Sequence, residues 1–507
     1  MAMKTPRIAL AGLLLGAAMP ALADVRSVEG PIPTGPNNQI YGAADVPGAK
    51  LSISLGQYGY VEEEYFLAGN GAVYKHGDKG LEQIKGDLPY KTRIIVRRPT
   101  DRAKFSGVVQ YEPIHPSQGG MTHWLATNRY IMSRGDIYVA VATGDADSRG
   151  PHTVNPAAPV PQSVVTKWFN PTRYASLDWS TDAGIRLTIM SDVGKKLRSS
   201  DADNPLTGYP IRAMIVSGGS FTGTIQRVFI NEGYHDQARM ADGKPVFDGY
   251  LIGYSSRWND PGYIEMYDKE PVVALDDPRR TLKPIDAAVI EFITEFEVAT
   301  GPGPQAADSD APIGRHRMYE LGGVIHSTSL VEPQVLRRER PHYAQLLARR
   351  YPAANIREEG PACPVLTSDI PHGEINRAVL DNLRAWILEG KPPPHAEQLQ
   401  WEGDRIARDD VGNPKGGVKT AEFAVPLARY GTYLGSENPG CLAGTAYPRY
   451  LRNPLTRQEL VKRYRTPARY LSLYDAQIDR MVKERWLLPE DAAVLKEKAK
   501  AMAAQSF

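Results

Sequence analysis

Residues Ile211–Thr224 read I-R-A-M-I-V-S-G-G-S-F-T-G-T. An apolar run, Met214–Val216, passes into glycines, a single serine and the start of a helical pattern, which outlines a strand, a sharp turn and a helix. Such a turn lifts the residue at its tip, Ser220, clear of a sheet edge. It demands small neighbours, because the backbone is tight and the helix lies close on the strand. Gly218 stands two before the serine, but Thr222 occupies the place where a G-x-S-x-G turn has glycine, with Gly223 one further on. A tight turn carrying an incidental serine is the competing reading. The strand–turn–helix context favours a nucleophile.

Working outward, the flanks alternate between strand and helix patterns. Residues 24–50, rich in Pro, Gly and Asn, read as an extended, loosely held arm. Strands are expected at 60–69, 92–99 and 107–114. A helix near 122–133 precedes I-Y-V-A-V-A-T (137–143), an apolar run suited to a strand buried on both faces. After a loop at 144–176, Ile185, Ile189, Val193 and Leu197 recur at helical spacing in 178–198. Beyond the serine come a helix from Phe221 to about Asn231 and strands at 250–254, 288–294 and 317–321. A loop at 255–286 and a second at 301–314 separate them, and a helix at 374–390 stops at Gly390 and the prolines 392–394. The fold class is α/β: a mostly parallel central sheet with helices on both faces, N-terminal strands and inserted loops. The domain runs 24–394. A helical C-terminal extension, 395–507, follows, with a capping box at Thr456-Arg457-Gln458-Glu459 and helices near 467–487 and 490–504 packed on the core.

A serine hydroxyl needs a base, and the base needs a group to orient it. In parallel sheets such groups gather at the carboxyl ends of strands. His326 follows strand 317–321 by the short turn G-G-V-I and is the first candidate base; His372, at the start of a helix, is the alternative. His316, His342 and His395 also lie downstream. For the acid, strand 288–294 runs into T-E-F-E-V, offering Glu297 and, as the alternative, Glu295. If the strand continued, the two would point to opposite sides. Oxyanion donors are expected from the backbone N–H of Phe221 and from the loop H-P-S-Q-G-G (115–120), in the neighbourhood His115 to Ser117.

The bulk composition narrows the classes. With 507 residues, 42% apolar and 23% charged, the chain is of ordinary globular make-up, and a net charge of +2 without a basic tract argues against a nucleic-acid partner. Lys4 and Arg7, the apolar run Ile8–Ala18 and Ala21-Leu22-Ala23 describe a signal peptide over 1–23, with a mature start near Asp24 and a periplasmic or extracellular address. No later run is long enough to span a membrane. The two cysteines, Cys363 and Cys441, are expected to pair as a disulfide in an oxidising compartment, two separate buried thiols being the alternative. No metal or cofactor is expected: two cysteines without a histidine pair make a poor metal site, and the turn lacks both the phosphate-loop lysine and the spaced glycines of a dinucleotide site.

Several segments resemble a family of large α/β-hydrolase domain proteins, many of them secreted: P-Y-K-T-R-I-I-V-R-R-P (89–99), F-S-G-V-V-Q-Y-E-P (105–113), G-G-S-F-T-G (218–223), T-E-F-E-V (294–298), Y-E-L-G-G-V-I-H (319–326) and G-N-P-K-G-G-V-K-T (412–420). The likeness covers nearly all of the mature chain and extends to an elbow in which a small polar residue and then glycine follow the x after serine. It implies an α/β-hydrolase fold and carboxylic-ester hydrolysis, with Ser220 as nucleophile, His326 as base and an acid from T-E-F-E-V. The family shows aspartate where this chain has Glu297, so both glutamates stay open. The expected partner is a small-molecule or polymer-derived ester, with amide or polyester cleavage and a non-catalytic binding protein on the same scaffold as alternatives.

Overall fold

The structure, a computed structural model, describes residues 25–45, 53–77, 80–116, 119–144, 162–179, 184–255, 276–300, 303–324, 326, 368–432 and 450–507. The expected leader at 1–23, both cysteines, and parts of the loops at 144–176 and 255–286 lie outside these residues.

The strands are β1 (Val25–Glu29), β2 (Tyr60–Gly77), β3 (Gly80–Pro99), β4 (Val108–Pro113), β5 (Ile137–Val141), β6 (Ala213–Gly219), β7 (Gly249–Gly253), β8 (Ala288–Thr294) and β9 (His316–Leu321). They form one nine-stranded sheet in the order β1-β2-β3-β5-β4-β6-β7-β8-β9. From β5 to β9 neighbouring strands are parallel, whereas β1, β2 and β3 add antiparallel at one side. Every residue of β4 to β9 is buried, which requires cover on both faces and accounts for the mainly apolar runs of β5 to β8. The helices among them are α1 (Thr122–Arg134), α2 (Gln162–Phe169), α3 (Ile185–Arg198), α4 (Phe221–Asn231), α5 (Tyr234–Gln237), α6 (Glu295–Thr300) and α7 (His372–Glu389). Helices α1 and α7 pack on each other and on the parallel strands, α4 lies on β6 and β7, and α3 on β2. The chain leaves β4 toward β5 and then turns back to β6. The strand order therefore reverses between β4 and β6, and Ser220 sits just past the carboxyl end of β6 at that switch point.

Two expectations change. The strands read at 60–69 and 92–99 are the base of one hairpin, because β2 and β3 pair from Tyr60↔Pro99 out to Gly77↔Gly80. Gly69-Asn70-Gly71 and Gly86-Asp87 look like turns in sequence but are absorbed as irregularities; the register shifts between Gly71 and Tyr74, and Asp87 adopts φ 53°. The arm read at 24–50 is also held rather than loose over its described residues, 25–45. Its first residues are β1, and further on Arg93 Nη1 donates to Tyr41 O (2.9 Å), Arg97 Nη2 to Gly42 O (2.9 Å), and Tyr41 N–H to Tyr174 Oη (2.8 Å).

The C-terminal region begins with the small hairpin β10 (Trp401–Glu402) and β11 (Arg405–Ile406), then α8 (Ala421–Ala424) and the pair β12 (Ala428–Thr432) and β13 (Tyr450–Pro454). Three helices close it: α9 (Arg457–Tyr464), α10 (Pro467–Lys483) and α11 (Pro489–Ser506). The expected capping box at Thr456 and Glu459 is present. Trp486 packs on Tyr319 of β9 (ring centroids 4.8 Å), and Asp491 takes two hydrogen bonds from Arg377 of α7, so this region shares the core of the sheet.

Beside the arm, the fully buried Glu64 accepts from Arg93 Nη1 (2.8 Å) and Arg173 Nε (2.7 Å), all three side chains being 0% exposed. Removing the carboxylate strands two buried guanidinium groups, a loss of about 3–5 kcal/mol. Glu64→Gln is therefore expected to lower the urea midpoint by an amount corresponding to that loss; a midpoint within error of wild type would contradict it.

Candidate active site

The elbow is a strained turn. Ser220 adopts φ 58° and ψ −126°, a region that an L-residue occupies only when its surroundings impose it, at a cost of about 1–3 kcal/mol. The restraints are visible. Ser220 N–H donates to Gly253 O at the end of β7 (2.9 Å), and Thr222 Oγ1 donates back to Gly219 O (2.8 Å). A Cβ on Gly223 would lie 2.7 Å from Gly253 O, so the close approach of helix to strand falls on Gly223 rather than on position 222. This accounts for the shifted glycine: Thr222 is free to carry a hydroxyl because its neighbour meets the strand.

Beyond the parallel ends of β8 and β9 stand the partners. His326 Nε2 is 2.7 Å from Ser220 Oγ, and His326 Nδ1 is 2.6 Å from Glu297 Oε1. Glu297 is 0% and His326 5% exposed. The other carboxylate oxygen of Glu297, Oε2, accepts from Thr294 N–H (2.9 Å) and Thr294 Oγ1 (2.5 Å). The strand does not continue past Thr294. It turns into α6, so Glu295 and Glu297 do not alternate as strand residues would. The cause is legible in T-E-F-E, a Thr-x-x-Glu helix-start pattern in which the glutamate reaches back to the first residue's N–H. Thr456 and Glu459 carry the same pattern at the start of α9.

Glu295 faces a different task. Its Oε2 accepts from Gly323 N–H (2.7 Å), in the turn that leads to His326, and its Oε1 accepts from Arg408 Nη2. The structure thus brings Glu297, and not Glu295, to the imidazole. His372 is not at the serine either. It opens α7, is 0% exposed, and packs edge-on against Tyr254 (5.0 Å) and Phe292 (5.2 Å). Burial pushes its imidazole down to about 3, as it does that of His123 in α1. His316 pairs with Glu291 and His395 with Asp308, while His342 lies outside the described residues.

Phe221 opens α4, which puts its N–H beside Ser220 at the positive end of the helix. Its ring lies under the Arg186 guanidinium (4.9 Å) and 5.8 Å from the ring of His115. The His115 N–H, however, donates to Gly120 O (2.9 Å) and closes its own loop, and Pro116 has no N–H. The expected donor at His115 is therefore corrected to a ring in the wall of the site, and Ser117 lies outside the described residues. The sequence offered no sign of Tyr254. It follows β7 with φ 49°, packs beside Gly219 of the elbow and 6.2 Å from the His326 ring, and its hydroxyl accepts from Asn376 Nδ2 (3.0 Å). Among the described residues, His235, Asp236 and Asp286 are close enough to hold a metal, but Asp286 is taken by Arg239 and His235, away from Ser220.

With this geometry in hand, comparison with known proteins gives the family. The family described as "Alpha/beta hydrolase domain" matches residues 28–497, and the chain belongs to it. No curated protein sequence matches the chain. Among solved structures, esterase Est22 is 13% identical over 62% of this chain and 83% of its own, with a TM-score of 0.32. An esterase from Pyrobaculum calidifontis is 14% identical over 56% of this chain and 85% of its own (TM-score 0.26). A thermostable esterase from Pseudomonas putida is 10% identical over 53% and 74% respectively (TM-score 0.26).

The two buried imidazoles make stability depend on acid. His123 and His372 stay neutral in the folded chain and gain a proton only on unfolding, so stability is present near neutrality and lost as pH falls below about 6.5 toward about 3. Each contributes a loss of about 2 kcal/mol by about pH 5. Denaturation at about pH 7 and about pH 5 should show His372→Leu losing less than wild type by that amount; equal losses would contradict the assignment.

Proposed function

We propose that the protein is a serine hydrolase of carboxylic esters that works through an acyl-enzyme. The observation that carries this is the continuous line Ser220 Oγ–His326 Nε2 (2.7 Å) and His326 Nδ1–Glu297 Oε1 (2.6 Å), set at the strand ends of an α/β-hydrolase sheet. His326 takes the proton of Ser220 as Oγ attacks the ester carbonyl, and Glu297 stabilises the imidazolium that forms. Charge that develops on the carbonyl oxygen meets the Phe221 N–H at the start of α4. The imidazolium then protonates the departing alcohol. Water activated by the same histidine releases the acid.

The role of Glu297 follows from its two-sided bonding. A carboxylate fixed by Thr294 presents one oxygen to Nδ1, so the imidazole is held with Nε2 toward the serine. The same proposal sets the protein outside the cytoplasm, on the strength of the leader-like residues 1–23, with Cys363 and Cys441 joined in a disulfide. An exported product that begins at Asp24 and shows no free thiol would agree; a full-length cytoplasmic product would not.

Short p-nitrophenyl esters test the chemistry. Ser220→Ala is expected to abolish turnover above buffer, and Glu297→Gln to lower kcat on the order of 10³–10⁴-fold with little change in KM. Wild-type rates in Ser220→Ala would remove the proposal.

A further inference from the structure

Strand β9 is the edge of the sheet, and the turn beyond it carries His326. An edge strand presents unpaired backbone groups and is poorly fixed unless something covers it. Here Asp308 and Ser309 cover its first half, Ser309 bonding His316 both ways and Asp308 Oδ1 accepting from Met318 N–H (3.0 Å), and the C-terminal region covers its second half. Leu399 N–H donates to Glu320 Oε2 (2.7 Å) and Val418 N–H to Glu320 O (2.8 Å). The turn itself is wedged from the same side. A Cβ on Gly322 would lie 2.5 Å from Pro414 Cγ, and one on Gly323, at φ 70°, would lie 2.8 Å from Phe423 Cζ. A charged contact joins this cover to the α6 side of the site. Arg408, two residues past the end of β11, donates to Glu295 Oε1, whose other oxygen holds Gly323 N–H (2.7 Å).

We propose that Arg408 is a positioning residue for His326. It acts through Glu295, which is 1% exposed and grips the turn three residues before the imidazole. A carboxylate that deep is fixed by the donors around it; without Arg408 its Oε1 loses a charged donor, the carboxylate is less firmly oriented, and its hold on Gly323 slackens. Glu295 and Glu297 lie two apart in α6, so one helical turn fixes both the acid that touches the imidazole and the clamp on the turn that delivers it. The C-terminal region is thereby part of the site's scaffold. This inference rests on the reading of His326 as the base of Ser220.

The test uses the full chain and two readouts. The first is kcat against KM on p-nitrophenyl acetate. The second is the far-downfield proton resonance of His326 Nδ1–H in its bond to Glu297, assigned by its absence in His326→Gln; it needs no substrate. Arg408→Ala is expected to lower kcat about 100-fold with KM within about threefold, since a displacement of about 1 Å at a reacting group has that effect, and to broaden or remove the resonance. Arg408→Lys, which keeps the charge and folds if the alanine variant does not, should recover at least half of the resonance and most of kcat. Because Arg408 acts through Glu295, the Glu295→Gln/Arg408→Ala pair should lose no more than the worse single variant. Wild-type kcat and an unchanged resonance in Arg408→Ala, or additive losses in the double variant, would overturn the proposal. Should wild type show no Ser220-dependent hydrolysis, the resonance still decides: its loss in Arg408→Ala keeps the positioning role while the hydrolase reading falls, and its persistence overturns both.

Discussion

The carboxylate of Glu297 is shared between two jobs, and the arrangement of the site depends on that sharing. One oxygen closes the first turn of α6 on Thr294, and the other meets His326 Nδ1. A fully buried carboxylate is costly unless its lone pairs are filled, so the helix start stabilises the charge and at the same time fixes its direction. An aspartate here would be one methylene shorter. Glutamate at the third helical position has the length to reach back to the N-cap and still face the imidazole.

The elbow follows a similar logic of displaced function. Its strain is held by the Ser220 N–H bond to Gly253 and by close packing of α4 against β7. Moving the close-contact glycine from 222 to 223 keeps that packing, while Thr222 ties its hydroxyl to Gly219 O. Ser220, Tyr254, Glu297 and His326 each follow a different parallel strand, so the spacing of β6, β7, β8 and β9 sets the spacing of the side chains. Arg408 then adds a restraint, through Glu295, on the turn that follows β9, the last strand of the sheet.

Much of this is legible in the chain alone. I-Y-V-A-V reads as a buried strand and is one, because a short continuous apolar run bounded by turns suits a strand covered on both faces. The order of serine, glutamate and histidine, each after its own strand, narrows the candidates to those that the fold brings together. What eludes sequence reasoning has a common cause. Tyr254, Asn376, Arg408 and Gly323 matter through contacts between segments far apart in the chain, and no periodicity reports those. The long β2–β3 hairpin misleads for the opposite reason: its glycines are strong local turn signals that sheet pairing overrides. His115 shows the limit of placing a donor by neighbourhood, since its N–H is taken up inside its own loop.

The chemistry turns on the activation of Ser220 by His326. Intact mass spectrometry after exposure to a fluorophosphonate, followed by peptide mapping, tests it most directly. One phosphonyl group per chain is expected, on the peptide bearing Ser220, with labelling slowed by orders of magnitude in His326→Ala. No adduct on the folded wild-type protein, or an adduct on another residue with Ser220 untouched, would contradict it.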